Sequence, residues 1–417
     1  MIHILKNKVE EKIGTKIENR GDCELLSNAI LDVLDIDLSY NTIRRFYGIA
    51  PSTKPNSKTL NTLALFIGYN SYVHFLQNYN TEDRKTLSQS VFKAVNNFSD
   101  DEIISLIKKV KRSGDDFPSF VVILVRELLH DKNFKLINKI FNLKELAFNS
   151  FSYSEVLFIG NSIGLLFRKN YYFDTVLLQN INFLQCVFLT FVDYSSINGY
   201  YGEWAAYINE HVKVKETKLF TTALLAFKKL LNNQKVTHPF NDEPFDTSIN
   251  PILNSRLLSV KIFTTKEHEI LEVLNQYAKT HNKKAGLTDY YFELVESAIL
   301  TKNIILMKFI IETFKTDRRF ELYYQKKHLN SFYLMCAFYY KLIDKKTEKK
   351  KYAKLFNIEE IWFSYQDYLQ ILHLVYLYAD SKKTAVKNKM LNEYLILCKK
   401  LNYPYFSKTY LLNYFIA

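Results

Sequence analysis

Apolar residues recur along this chain with the spacing of helices rather than strands. Ile4 to Ile13 has helical periodicity and stops at Gly14. In Asp22–Leu34, the residues Leu25, Leu26, Ala29, Ile30, Val33 and Leu34 fall on one apolar face of a second helix. Asp35-Ile36-Asp37 makes a turn. Ser39 then offers its hydroxyl to an amide that the first turn of a helix leaves unpaired. Ile43 and Phe46, three apart, face inward, and Asn41, Arg44 and Arg45 face outward. Gly48 can take the left-handed conformation that ends a helix. After a loop over Pro51–Asn56, Ser57 is the expected cap of a fourth helix. Its buried stripe is Leu60, Leu63, Ala64 and Ile67, and Gly68 stops it. Ser71 caps Tyr72–Leu76. These five short helices predict a domain over residues 1–78, followed by a linker and connecting helix over 79–98, with the polar run Asn78–Lys85 as the linker itself.

From residue 99 onward, helical segments alternate with short polar breaks. Ser99-x-x-Glu102, Ser152-x-x-Glu155 and Thr264-x-x-Glu267 have the form of capping boxes. Further helices are expected over Pro118–His130, Thr217–Leu231, Thr288–Leu300, Asn330–Leu342 and Ile358–Tyr378. β-branched runs are short, and no Asn-Gly or Asp-Gly sits between two alternating segments, so strands are not expected. The helices pair at intervals of about 35–45 residues, a spacing that resembles tetratricopeptide-like α-solenoids. The W-x-x-L-G-x-x-Y signature of those repeats is absent. The expected fold is all-α, with a small N-terminal helix-turn-helix domain and a helical array over 99–417. The segment His238–Asn250, with Pro239 and Pro244, would divide that array.

Composition supports this outline. At 417 residues the chain exceeds the roughly 250–300 at which one core stops growing, so at least two folding units are expected. Ten glycines and seven prolines against 30 tyrosines and 32 phenylalanines suit long helices joined by short turns. Cys23, Cys186, Cys336 and Cys398 are scattered, which argues against a disulfide framework or a zinc site and fits a reducing cytoplasm. No apolar run approaches about 18 residues, and the N-terminal apolar patch is too short for a signal peptide, so no membrane partner is expected.

The net charge of +13 admits an anionic partner. Part of the lysine excess accompanies the Asn, Ile, Tyr and Phe usage that AT-rich codons produce. Distribution says more than the total. Leu38–Asn80 contains Arg44, Arg45, Lys54 and Lys58 and no acid. A second concentration runs from Arg318 to Lys354, where Tyr323, Tyr324, Phe332, Tyr339 and Tyr340 interleave with lysines. Such interleaving suits single-stranded nucleic acid. A buried aromatic stripe with a solvated lysine face accounts for it better, with Lys345–Lys351 on an exposed turn.

Catalytic signatures are missing: Gly-Lys, G-x-S-x-G and H-E-x-x-H do not occur. His373 reads as a core residue of an apolar helix, and Tyr200, Tyr201 and Trp204 as aromatic core rather than pocket lining. Neither enzymatic activity nor a cofactor or metal is expected.

A helix-turn-helix lays its second helix in the major groove, with residues near that helix's N-terminus at the base edges. Tyr40, Asn41 and Thr42 occupy those positions. Asn41 suits adenine, while Arg44 or Arg45 suits guanine or a phosphate. Ser39, Lys54, Lys58 and the amides at Ser57 suit phosphate contacts. The run L-S-x-N-T-I-R-R-x-x-G at Leu38–Gly48, followed by T-L-x-x-L-A-x-x-I-G-Y-x-S at Thr59–Ser71, resembles phage-repressor-like helix-turn-helix proteins. It is closer still to N-terminal domains of Bacteroidetes proteins with an S-x-x-T-L-R-R-x-x-G helix. The resemblance covers residues 20–78 and implies duplex DNA as partner. The sequence departs from the usual pattern at Val33 and Asp37, where a small residue and a glycine are customary. That implies a longer or differently bent turn, and Asp32, Asp35 and Asp37 place acids beside the reading helix.

Together these features predict a cytoplasmic DNA-binding transcriptional regulator. Its helical array would dimerise the chain as a homodimer or hold a peptide or protein effector, an architecture that resembles the peptide-sensing regulators of Gram-positive bacteria. The alternative is a non-catalytic helical scaffold for protein–protein interaction, in assembly or cellular defence.

Overall fold

Every regular element among the described residues is helical in the computed structural model, which describes residues 2–51, 55–113, 116–170, 172–236, 251–281, 287–314, 323–361 and 363–416. The chain is an all-α protein whose helices divide into two units, Met1–Ile103 and Ile104–Ala417.

The first unit holds α1 (Ile2–Ile13), α2 (Arg20–Leu34), α3 (Tyr40–Tyr47), α4 (Ser57–Phe66) and α5 (Tyr72–Asn97). Local chemistry sets most of their ends. Asn19 Oδ1 accepts from the amides of Gly21 and Asp22, and Asp22 Oδ2 accepts the Asn19 amide at 3.0 Å, so α2 opens on a reciprocal capping box. Gly48 sits at φ +82°, and the amides of Gly48 and Ile49 donate to the carbonyls of Arg45 and Arg44, closing α3. Gly68, at φ +97°, ends α4 by the same pair of bonds, to Leu65 and Ala64.

A single core joins Leu5 and Val9 of α1, Cys23, Leu26 and Ile30 of α2, Ile43 and Phe46 of α3, and Leu63, Ala64 and Phe66 of α4. The expected α2 face is only partly buried. Leu25 is 51% and Val33 58% exposed, because the core is met along the narrower stripe of Cys23, Leu26 and Ile30. The α4 stripe is likewise shifted, to Thr59, Thr62, Leu63, Ala64 and Phe66. The helix expected to end at Leu76 continues to Asn97, so the polar run 78–85 is helical.

The second unit contains the rest of the array. It comprises α6 (Asp100–Ser113, which carries the boundary), α7 (Phe117–His130), α8 (Phe134–Phe141), α9 (Tyr153–Asn170), the single turn α10 (Ile181–Phe183), α11 (Tyr200–His211) and α12 (Lys215–Leu231). Then follow α13 (Pro251–Thr264), α14 (Ile270–His281), α15 (Leu287–Leu300), α16 (Ile304–Phe314), α17 (Tyr323–Leu342), α18 (Lys346–Leu355), α19 (Phe363–Asp380), α20 (Thr384–Leu401) and α21 (Lys408–Asn413). Helices pack on near neighbours in sequence: α7 on α9, α11 on α12, α12 on α13, α13 on α15, α15 on α17, α17 on α18 and α19 on α20. The boxes at Ser99/Glu102 and Ser152/Glu155 form, each with the glutamate accepting the serine amide at 2.7 Å. Thr264 instead ends α13 and donates its hydroxyl to Lys261 O, so it caps nothing. Lys345–Lys351 enters helix α18 rather than a turn. The proposed divide at His238–Asn250 lies outside the described residues.

Tyr201 and Trp204 are fully buried and Tyr200 nearly so, and Trp204 Nε1 donates to Tyr172 O at 2.9 Å. They are core, packed where a Cβ on Gly202 would stand 1.8 Å from Ile197 O. Beside them a polar network centred on buried Asp193 joins distant segments. Arg168 lies 3.4 Å from Asp193 and 3.2 Å from Asp367, which also takes Lys400 at 2.8 Å. Tyr200 donates to Asp193 at 3.0 Å, and Tyr403 donates to Tyr194 O at 2.7 Å. His373 is packed edge-on to Phe356 at 4.6 Å, with its Nδ1 buried and unpaired.

Candidate nucleic-acid interface

The α2–turn–α3 segment builds the candidate surface. Between Leu34 and Tyr40 the chain turns through Asp35, in the left-handed region at φ +54°, whose amide donates to Leu31 O. Ser27 Oγ, on α2, donates to Leu38 O at 2.7 Å and ties the end of the turn back to α2. A glycine-free turn is therefore feasible here because an aspartate takes the strained position, as Asp and Asn do more readily than other residues. Ser39 Oγ accepts the Asn41 amide at 3.3 Å, and Ser39 O accepts those of Thr42 and Ile43.

Burial of Ile43 and Phe46 fixes the roll of α3 about its axis. Lys6 Nζ lies 5.3 Å from the Phe46 ring, and Tyr47 donates to Lys6 O, so α1 braces the inner side. Asn41 and Arg45 are consequently exposed, while Tyr40, Thr42 and Arg44 are half-buried. The two arginines differ. Arg45 projects outward. Arg44 Nη1 donates to Asn41 Oδ1 at 3.3 Å, and its Nε is buried without a hydrogen-bond partner. Its charge opposes the burial that pushes the Cys23 thiol upward, which puts Arg44 on the α2 side of the helix.

Ser39 is exposed beside its cap bond, and Ser57 and Lys58 are exposed on the first turn of α4. Ser57 is not the cap. Asn56 takes that role, accepting the Thr59 amide at 2.8 Å, because its side chain is one residue further outside the helix. Lys54 lies outside the described residues. α3 and α4 share one core, so their exposed residues belong to one small unit.

Arg20 of α2 also reaches this surface. Its guanidinium stacks 5.1 Å over the Tyr40 ring and pairs with Glu24 at 2.8 Å, adding a cation beside the N-terminus of α3. No local spacing signals that contact, since Arg20 and Tyr40 lie on different helices. Asp32, Asp35 and Asp37 are all exposed, so the acidic shoulder is present at the surface.

No group of three or more His, Cys, Asp or Glu side chains is arranged to hold a metal ion among the described residues, and no helix among them is long and apolar enough to cross a membrane. Compared with known protein families, with curated proteins and with solved structures, the chain matches none.

Proposed function

We propose that the chain is a DNA-binding transcriptional regulator, with α3 of the first unit as its reading helix and the helical array as its dimerisation or effector-sensing part. The observation that carries this reading is the division of α3. Its apolar side is buried, while Asn41 and Arg45 are exposed on a short, doubly capped helix in a stretch free of acids from Leu38 to Asn80. Asn41 and Arg45 are the residue types that match adenine and guanine edges in the major groove. Ser39, Ser57 and Lys58 supply phosphate contacts around them. Arg44 orients Asn41 rather than reaching outward.

The test is binding of the full chain to a labelled random duplex at about 50 and 200 mM salt. Three phosphate contacts, from Arg45, Lys54 and Lys58, would give a salt slope of about −2.7, or a loss of roughly 40-fold over that range. Arg45→Ala should reduce the slope by about 0.9. Binding that ignores both salt and an Arg44→Ala/Arg45→Ala change would refute the reading and leave the first unit a packing module of a scaffold.

A further inference from the structure

The lysine run at the end of the second basic concentration forms α18, and its composition works against its own folding. Lys346, Lys349, Lys350, Lys351 and Lys354 lie on this short helix, with Glu348 as its one acid. Lys346/Lys350 and Lys350/Lys354 are four apart, and Lys346/Lys349 and Lys351/Lys354 three apart, so like charges face each other along the surface. Lys345, at the N-cap, makes no side-chain cap bond, and Lys346 follows it at the end of a helix that disfavours cations.

Packing holds the helix regardless. Tyr352 stacks on Tyr340 of α17 at 5.5 Å with an interplanar angle of 7°, and touches Tyr333 as well. Lys349 and Lys341 both donate to Asp380 Oδ1, at the C-terminus of α19. That shared carboxylate brings α18 to the junction of α19 and α20, where Lys382 and Lys383 are exposed. Asp380 is thereby occupied, and its carboxyl is held below the usual range by the two ammonium groups despite its burial. The stripe Lys346, Lys350, Lys354 is exposed.

We propose that α18 and the α19–α20 junction form a second nucleic-acid surface, which holds the sugar-phosphate backbone of a duplex without reading bases. Lysines four apart on a helix stand about 6 Å apart along its axis, a row of point charges with flexible stems suited to phosphates. Among the described side chains of this region none is left as a stacking platform: Phe332 and Tyr339 are buried, and Tyr333 and Tyr340 pack on Tyr352, while the side chains of Tyr323 and Tyr324 lie outside the described residues. Nor does α18 resemble a membrane-surface helix, which needs large apolar side chains opposite its lysines to insert. Its Tyr352 is turned onto α17, and Leu355, at the last position, is its one exposed large apolar residue. The proposal uses residues of the second unit alone and does not rest on the α3 reading.

The experiment begins from the full chain carrying Arg44→Ala and Arg45→Ala, so that α3 is silenced. To it are added Lys346→Gln, Lys350→Gln, Lys354→Gln, Lys382→Gln and Lys383→Gln, and binding to random duplex DNA is followed against salt. Five lost phosphate contacts would flatten the slope by about 4.5, and two by about 1.8. The same five positions changed to Arg should keep the slope. An unchanged slope and affinity in the Gln protein overturns the proposal. So does lysine-dependent binding to vesicles of anionic phospholipid without lysine-dependent binding to the duplex. Acetylation footprinting of the unmodified chain provides a readout that needs no variant to fold. Random duplex should protect Lys346, Lys350 and Lys354 several-fold while exposed Lys132 and Lys229 stay reactive, and equal reactivity at all five refutes the assignment. Loss of duplex binding through Arg44→Ala/Arg45→Ala alone, with the lysines inert, would uphold α3 and reject α18.

Discussion

Asp193 provides the sharpest physical test of the helical array, because a carboxyl group there has been taken out of water among segments far apart in sequence. It is 0% exposed, accepts from Tyr200 at 3.0 Å and from the Ser195 amide at 3.1 Å, and faces Arg168 at 3.4 Å. Burial pushes its carboxyl up to about 6, with the Arg168 charge opposing that rise only in part. In the unfolded chain the same group ionises near about 3.9. Between those values the folded protein retains a proton that the unfolded chain has released. Stability from this group is therefore greatest below about pH 3.9 and is lost as pH rises through about 6. Two pKa units correspond to about 3 kcal/mol, of which about 2 kcal/mol falls between pH 4.5 and 7.

Asp193→Asn keeps an acceptor oxygen in place and removes the ionisation. Urea unfolding of both proteins at pH 4.5 and 7 should show the variant gaining about 2 kcal/mol relative to the parent at the higher pH, with the other titrating groups cancelling. A difference that stays constant with pH would refute the burial argument. A change of opposite sign would mean that pairing with Arg168 outweighs desolvation.

Gly48→Ala should cost α3 about 1–2 kcal/mol, since the residue sits at φ +82° with open space around it and only the backbone conformation resists a side chain. Hydrogen exchange at the Ile49 and Ala50 amides, which close the helix on Arg44 O, should quicken about 5- to 30-fold, and Gly48→Asn should recover much of the loss. Burial pushes the His373 imidazole down to about 4, so its ring signals in NMR should stay those of the neutral form from pH 7 to pH 5. Its contribution to stability is present above about pH 6.5 and is lost as pH falls toward 4; a midpoint near 6.5 would refute its burial.

Helix ends were legible wherever the chemistry is local. Ser39, Gly48, Gly68 and the boxes at Ser99 and Ser152 each act within a few residues, and each does what its spacing predicts. Where two neighbours could serve the same purpose, the sequence left a choice. Asn56 rather than Ser57 caps α4, and Thr264 prolongs α13 instead of opening the next segment. The polar run 78–85 lies within helix α5, so the segment read as linker and connecting helix is helical as far as Asn97.

For the candidate site, periodicity sufficed to put Asn41 and Arg45 on the outer side of α3, because burying Ile43 and Phe46 leaves them no other direction. It could not separate the two arginines, adjacent and chemically identical. Only the placement of α2 turns Arg44 back toward Cys23 and Asn41 and leaves Arg45 free to project.

What this sequence determined alone is thus a set of helices with their caps, an all-α class, and where basic residues concentrate along the chain. Each follows from interactions spanning one or two helical turns. Tertiary structure decided the rest: which α2 stripe is buried, why Leu25 and Val33 stay at the surface, how Arg168 meets Asp193 and Asp367, and how Asp380 joins α18 to α19. Those outcomes depend on which elements meet, and burial and charge pairing act across space, where spacing along the chain carries no record of them.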